Sequence, residues 1–249
     1  MSGFAIFSPG RRALRARAVA AAALALAGWL GAAAPVPAHA EVAAADPIDV
    51  AMRQCLARRD RSSTVGQIQC MDEARAQWLS AVDDAFKQLG TVEPASARRG
   101  WQESQRRWLL WRNDETLLTQ AVYATTSGTM YALASADMRI QPVRDRALSL
   151  RDAADRYSKP NGGADAVHRV RACSDDAACE HALFDLNRYY VKLQKRMPAR
   201  GRPVLVRAQR AWVSFRDGTT PMISEQQRVD LIGARVATLK RLSETVNNK

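Results

Sequence analysis

Gln105-Arg106-Arg107-Trp108-Leu109-Leu110-Trp111-Arg112-Asn113 recurs 104 residues later as Gln209-Arg210-Ala211-Trp212-Val213-Ser214-Phe215-Arg216-Asp217. The Gln, the first Arg, the Trp and the last Arg are unchanged, and Trp111 is answered by another aromatic, Phe215. On a helix, Gln105, Trp108 and Arg112 fall at i, i+3 and i+7 and share a face. The Trp can then fill a core while Gln and Arg hydrogen-bond at its rim. The same holds for Gln209, Trp212 and Arg216. Two copies of such a stretch predict two copies of a helical unit, with Arg112 and Arg216 tying helices together through a carboxylate or a carbonyl near Asp83 or Asn187.

The register extends outward from the repeat. Val82-Asp83, Phe86 and Leu89 fall on Leu186-Asn187, Tyr190 and Leu193 at the same 104-residue offset, so the helix before the motif is duplicated too. In the last helix of each copy, Arg144 and Leu148 align with Arg235 and Leu239 at an offset of 91, which removes about thirteen residues from the final loop of the second copy. Lys159-Pro160-Asn161-Gly162-Gly163 is the clearest linker in the chain. The expected architecture is all-α: two tandem antiparallel helical-bundle modules, residues 41–157 and 164–249, joined by residues 158–163.

Local signals place the helices. Asp46-Pro47 opens a short helix as an N-cap followed by proline. Thr64-Val65-Gly66-Gln67 fits a capping box for a helix that Gly90 ends, with Trp78, Val82, Phe86 and Leu89 as its apolar stripe. The motif helix begins near Pro94, and Met130 to Tyr157 forms the next. In the second copy a short helix is expected over 164–171, and Ser174 or Asp175 is expected to cap a helix to Arg196. Pro203 starts the motif helix and Ser224-Glu225-Gln226-Gln227 caps the last.

Residues 1–40 read as a signal peptide: Arg11, Arg12, Arg15 and Arg17 with no acid, then the apolar run Ala18 to Ala34, then Ala38-His39-Ala40. The product is exported, periplasmic or secreted, with no membrane span left once the signal is removed. Four of the 37 basic residues leave with the signal, and the remaining 33 face 25 acidic ones. The excess is one-sided. Residues 41–157 carry 16 basic and 16 acidic groups, whereas 158–249 carry 17 and 9.

The four cysteines, Cys55, Cys70, Cys173 and Cys179, all lie in the mature chain, where an even count in an oxidising compartment reads first as two disulfides. In each copy one Cys is expected to end a short leading helix and the next to sit in the first turns of the long one. This pairs Cys55 with Cys70 and Cys173 with Cys179, the longer loop contributing about 3 kcal/mol. A zinc site is the rival reading; it would need all four to converge from two modules without the usual two-to-four-residue gaps.

The pattern of a Cys-started helix, Leu-Asn-x-x-Tyr, Gln-Arg-x-Trp-x-x-Phe-Arg-Asp and a capped helix with Arg-x-x-x-Leu resembles the LprI-type lysozyme-inhibitor family. The second copy carries it at Cys179, Leu186, Asn187, Tyr190, Gln209, Arg210, Trp212, Arg216, Asp217, Arg235 and Leu239. The first carries a looser version, with Asp83, Phe86 and Asn113. The resemblance covers most of residues 50–245. It implies an exported, disulfide-bonded helical protein and, for some members of the family, binding and inhibition of lysozyme.

Chemistry has little to work with. His168 and His181 are the only mature histidines, and neither has a nucleophile or metal-ligand partner in the sequence. Asp83-Asp84 and Asp175-Asp176 are adjacent pairs that point about 100° apart on a helix. No glycine-rich phosphate loop, cofactor signature or metal set appears, and the chain reads as a non-enzyme. The remaining candidate site is the run Lys192, Lys195, Arg196, Arg200, Arg202, Arg207 and Arg210, seven basic residues with no acid. A charge run is ordinarily a solvated face, and a basic helix end suits the macrodipole. Its functional reading is a grip on an anionic envelope polymer, which gives a structural or tethering role as the alternative to binding a protein partner such as lysozyme. Nucleic acid is poorly placed for an exported chain.

Overall fold

The computed structural model describes residues 45–249, and the predicted signal peptide lies outside them. Seven α-helices form: α1 (Pro47–Leu56), α2 (Thr64–Val92), α3 (Ala95–Tyr123) and α4 (Thr129–Tyr157) in the first half, then α5 (Ala177–Arg196), α6 (Arg202–Thr219) and α7 (Glu225–Thr245) in the second. No strand is present among the described residues. The all-α reading, the two copies and both disulfides hold. Cys55 bridges Cys70 at a Cα separation of 5.7 Å, and Cys173 bridges Cys179 at 5.0 Å.

Caps explain most boundaries, and several differ from expectation by a residue or more. Asp46 accepts from the Ile48 amide ahead of Pro47 and starts α1. The cap of α2 is Ser63 rather than Thr64: its hydroxyl accepts from Gly66 N. Gly90 does not end α2. A Cβ there would meet nothing within 4 Å, so the glycine sits on an open helix face, and the chain leaves the helix only at Glu93, where Pro94 disfavours a helical predecessor. Asp176 caps α5 through the Ala178 and Cys179 amides. Ser224 and Gln227 complete the expected capping box of α7.

Residues 164–171, expected as a helix, are not helical. So short a segment pays the nucleation cost of a helix without an apolar face to repay it, and it is fixed instead by isolated bonds. The Tyr157 hydroxyl donates to Ala166 O, His168 N to Pro221 O, and Arg228 Nη1 to Arg171 O. The second half therefore has no counterpart of α1.

Within each half the first long helix lies along the last, α2 on α4 and α5 on α7. The motif helices do something else. α3 packs chiefly on α6, antiparallel, so the repeated stretch forms the seam between the halves rather than the centre of either. One continuous core results, drawing Trp78, Trp101, Trp108, Leu118 and Leu150 from the first half and Leu193, Leu205, Trp212 and Leu239 from the second. Four tryptophans are fully buried there, and each contributes more apolar area than any aliphatic side chain.

A seam of paired motif residues and its comparisons

The seam joins equivalent positions. Trp111 stacks on Phe215 with ring centroids 5.3 Å apart and planes 4° from parallel, and these two are each other's counterparts at the 104-residue offset. Around them, the Ser104 and Thr219 hydroxyls lie 2.6 Å apart, Arg107 donates to Ser214 O at 3.1 Å, and Arg207 pairs with Asp114 at 2.9 Å.

Each motif Gln accepts from a buried arginine of the last helix in its own half. Arg146 Nε donates to Gln105 Oε1 at 2.9 Å, and Arg235 Nε to Gln209 Oε1 at 3.1 Å. Each guanidinium also lies over the motif Trp, at 6.0 Å for Arg146 on Trp108 and 5.9 Å for Arg235 on Trp212. The structural counterpart of Arg235 is thus Arg146, not Arg144, and that of Leu239 is the fully buried Leu150, not Leu148. The offset in the last helix is 89, so the second copy is shorter by fifteen residues rather than thirteen.

The two arginines differ in compensation. Arg235 is 2 % exposed, and its Nη1 lies 2.7 Å from Glu115 Oε2, a carboxylate of the first half that also accepts from Trp111 Nε1 at 3.2 Å. Arg146 is equally buried but meets no carboxylate; Gln105 and the faces of Trp101, Trp108 and Phe215 surround it. Burial without an anion pulls the Arg146 guanidinium down to about 9.

Arg112 and Arg216, expected as the ties between helices, are not. Arg112 lies over Trp108 at 5.2 Å and reaches only Asn113, and Arg216 lies over Trp212 at 5.3 Å and pairs with Asp217. Partial burial, with a smaller push from Arg75, lowers the pKa of Arg112. The helix-spanning role passes to Arg146 and Arg235, because a side chain in the stripe Val143, Ala147, Leu150 has no solvent to reach and must find partners inside. That position on an apolar stripe was the signal available in the sequence.

Several members of the basic run have partners inside the molecule. Arg207 is taken by Asp114, Lys192 lies 4.0 Å from Glu244, Arg196 donates to Val246 O, and Arg202 donates to Met197 O. Lys195, Arg200 and Arg210 are exposed and have no ion-pair partner among the described residues. His181 is exposed beside Asp185, and His168 uses its backbone. Among the described residues no three His, Cys, Asp or Glu side chains gather to hold a metal ion, and no helix is long and apolar enough to cross a membrane. A cleft of about 470 Å³ lies between α1, α2 and α4 and is lined by Gln77, Ser80, Asp84, Gln88 and Arg151 among others.

A family model described as lysozyme inhibitor LprI matches the chain twice, over residues 55–150 and 160–244. The protein belongs to the LprI family. The two matched segments coincide with the two structural copies, and the seam just described is where their shared motif meets itself. Among solved structures, the chain is similar to the crystal structure of an uncharacterised protein from Burkholderia thailandensis, at 73 % identity and a TM-score of 0.81, over 82 % of this chain and all of that one. No curated protein matches.

Proposed function

We propose that the protein is an exported, non-catalytic inhibitor that binds lysozyme through the outward ridge of α3. The observation that carries this reading is the family match over both halves, motif included. Two disulfides suit an oxidising compartment, and the signal-like leader agrees with export.

Leu109, Leu110 and Leu117 are exposed large apolar side chains on one side of α3, with Arg106 and Asn113 between them, and clustered exposed apolar groups mark contact surfaces. They lie in the half with balanced charge. A strongly basic enzyme of the animal lysozyme type meets no long-range repulsion there, as it would over the basic second half.

Purified mature protein titrated into a lysozyme assay on a cell-wall suspension should inhibit at near-stoichiometric ratios. Leu110→Asp should weaken that inhibition about tenfold or more at unchanged thermal stability. Full lysozyme activity at large molar excess of the protein sinks the reading. The exposed, unpaired Lys195, Arg200 and Arg210 support a second reading, tethering to an anionic envelope polymer. Cosedimentation with peptidoglycan that vanishes in salt, without any inhibition, would favour it.

A further inference from the structure

The two disulfides sit in opposite electrostatic surroundings. Arg228 of α7 is buried, and its Nη2 lies 2.9 Å from Cys173 Sγ and 2.7 Å from Cys179 Sγ. Its Nη1 faces Glu225 at 3.1 Å and Arg171 O at 2.7 Å, so one edge of the guanidinium is held by oxygen and the other is aimed at sulfur. Cys179 also lies in the first turn of α5, where amide dipoles favour negative charge. Asp176 opposes this in part, since its carboxylate accepts from the Ala178 and Cys179 amides. At the other bridge the sulfur meets an anion: Cys55 Sγ lies 3.9 Å from Glu73 Oε2, and Glu73 is 3.6 Å from Arg61. Cys70 lies farther along α2, past its first turn.

From this contrast we infer that Cys173–Cys179 is an exchangeable disulfide that accepts electrons from a dithiol in the protein's compartment, while Cys55–Cys70 is a fixed staple. Cys173 is partly exposed and Cys179 is fully buried, so an incoming thiolate attacks Cys173 Sγ. The Cys173–Cys179 bond breaks, and its electron pair goes to Cys179 Sγ, a thiolate paired with Arg228 Nη2. The second thiol of the reductant, deprotonated, then attacks its own sulfur in the mixed disulfide. It releases Cys173 as a thiolate, which takes up the proton that the second thiol lost, and the reductant leaves as a disulfide, having given up two electrons. A leaving thiolate stabilised by a cation departs faster, and the reduced form is favoured.

Cys55 and Cys173 are both partly exposed, so access alone predicts similar rates and the charges decide. The test is a quenched-alkylation time course on the oxidised, folded protein with dithiothreitol, followed by peptide mapping. Cys173 and Cys179 should be labelled about tenfold or more ahead of Cys55 and Cys70. Equal rates, or Cys55–Cys70 opening first, overturn the inference. In the selectively reduced protein, the pH midpoint of Cys179 alkylation should fall below that of a free thiol, about 8.5; a midpoint at or above it also overturns it. Arg228→Lys should keep the fast phase and Arg228→Met should lose it. An undiminished rate in a folded Arg228→Met protein is a third contrary result, and the comparison within the native molecule stands if that variant does not fold.

Discussion

The two halves solve the same problem differently. Each buries an arginine of its last helix against its motif Gln and Trp, but only Arg235 has a carboxylate, and the first half supplies it through Glu115. The counterpart of Glu115 at the 104-residue offset is Thr219, which bonds Ser104 and Phe215 O, leaving Arg146 among aromatic faces. The same contrast recurs at the leading segments. In the first half α1 lies on α2 and uses Asp49 and Asp46 to hold Arg144 at 2.8 Å and Arg151 at 2.6 Å; in the second, Arg228 holds a non-helical strap by its carbonyl. Duplicated sequence therefore fixes the helices and their apolar faces, while charge compensation is shared between the copies. Each half lends a contact to the other's buried arginine, Glu115 to Arg235 and Phe215 to Arg146.

Glu115→Gln is the strongest way to break that asymmetry. Removing the anion leaves Arg235 charged and buried, and the loss should be about 3–5 kcal/mol, on the order of 10 °C in Tm by calorimetry. Thr219→Ala, the reciprocal change, should cost about 1 kcal/mol, since it removes only neutral hydrogen bonds. Equal effects would mean that the halves are compensated alike.

The stacking of Trp111 on Phe215 sharpens the comparison by asking whether the seam couples the halves. A double-mutant cycle with Trp111→Leu and Phe215→Leu, read by denaturant unfolding, should give a coupling of about 0.5–1.5 kcal/mol. Strict additivity would make the stack a mere neighbour contact. Smaller still, Arg216→Met should cost less than about 1 kcal/mol, because its partner Asp217 is adjacent and exposed. A loss as large as that of Glu115→Gln would restore Arg216 as a tie between helices.

The smallest effect concerns Glu103 and its counterpart Arg207. Hydrogen bonds from Arg106 and then Arg107 hold the Glu103 carboxyl at about 2. A folded pKa below the ordinary carboxylate value of 4.5 contributes stability that is present above 4.5 and is lost as pH falls through about 2. The side-chain NMR titration of Glu103 should show that low midpoint, and Glu103→Gln should flatten this part of the acid profile. A midpoint near 4.5 would remove the contribution.

The helices, the duplication and both disulfides were legible because each rests on local chemistry or on spacing: caps at Asp46 and Ser224, Trp at helical intervals, Cys at the edge of each long helix. The misaligned last helix shows the limit. Arg-x-x-x-Leu occurs twice within seven residues, as Arg144 with Leu148 and as Arg146 with Leu150. Only burial tells them apart, since Arg144 turns outward to Asp49 and Arg146 inward to Gln105. The seam was hidden for a similar reason. Trp108 reads as core from its spacing, but that Trp111 finds its core against the other copy depends on tertiary docking, which no periodicity encodes. In the same way, the basic run was visible as charge, while the loss of Arg207 to Asp114 required knowing that α3 and α6 are neighbours.

The meeting of Trp111 with Phe215 also bears on symmetry. Equivalent residues facing each other across antiparallel helices is the isologous geometry of a homodimer, here contained in one polypeptide. In a true dimer every substitution appears on both sides of the axis, so a carboxylate at one position 115 would bring a second at its mate. A covalently joined pair is free of that constraint. Glu115 in one copy with Thr219 at the equivalent position of the other is an arrangement that a fused chain permits, and it gives each copy a distinct part in one interface.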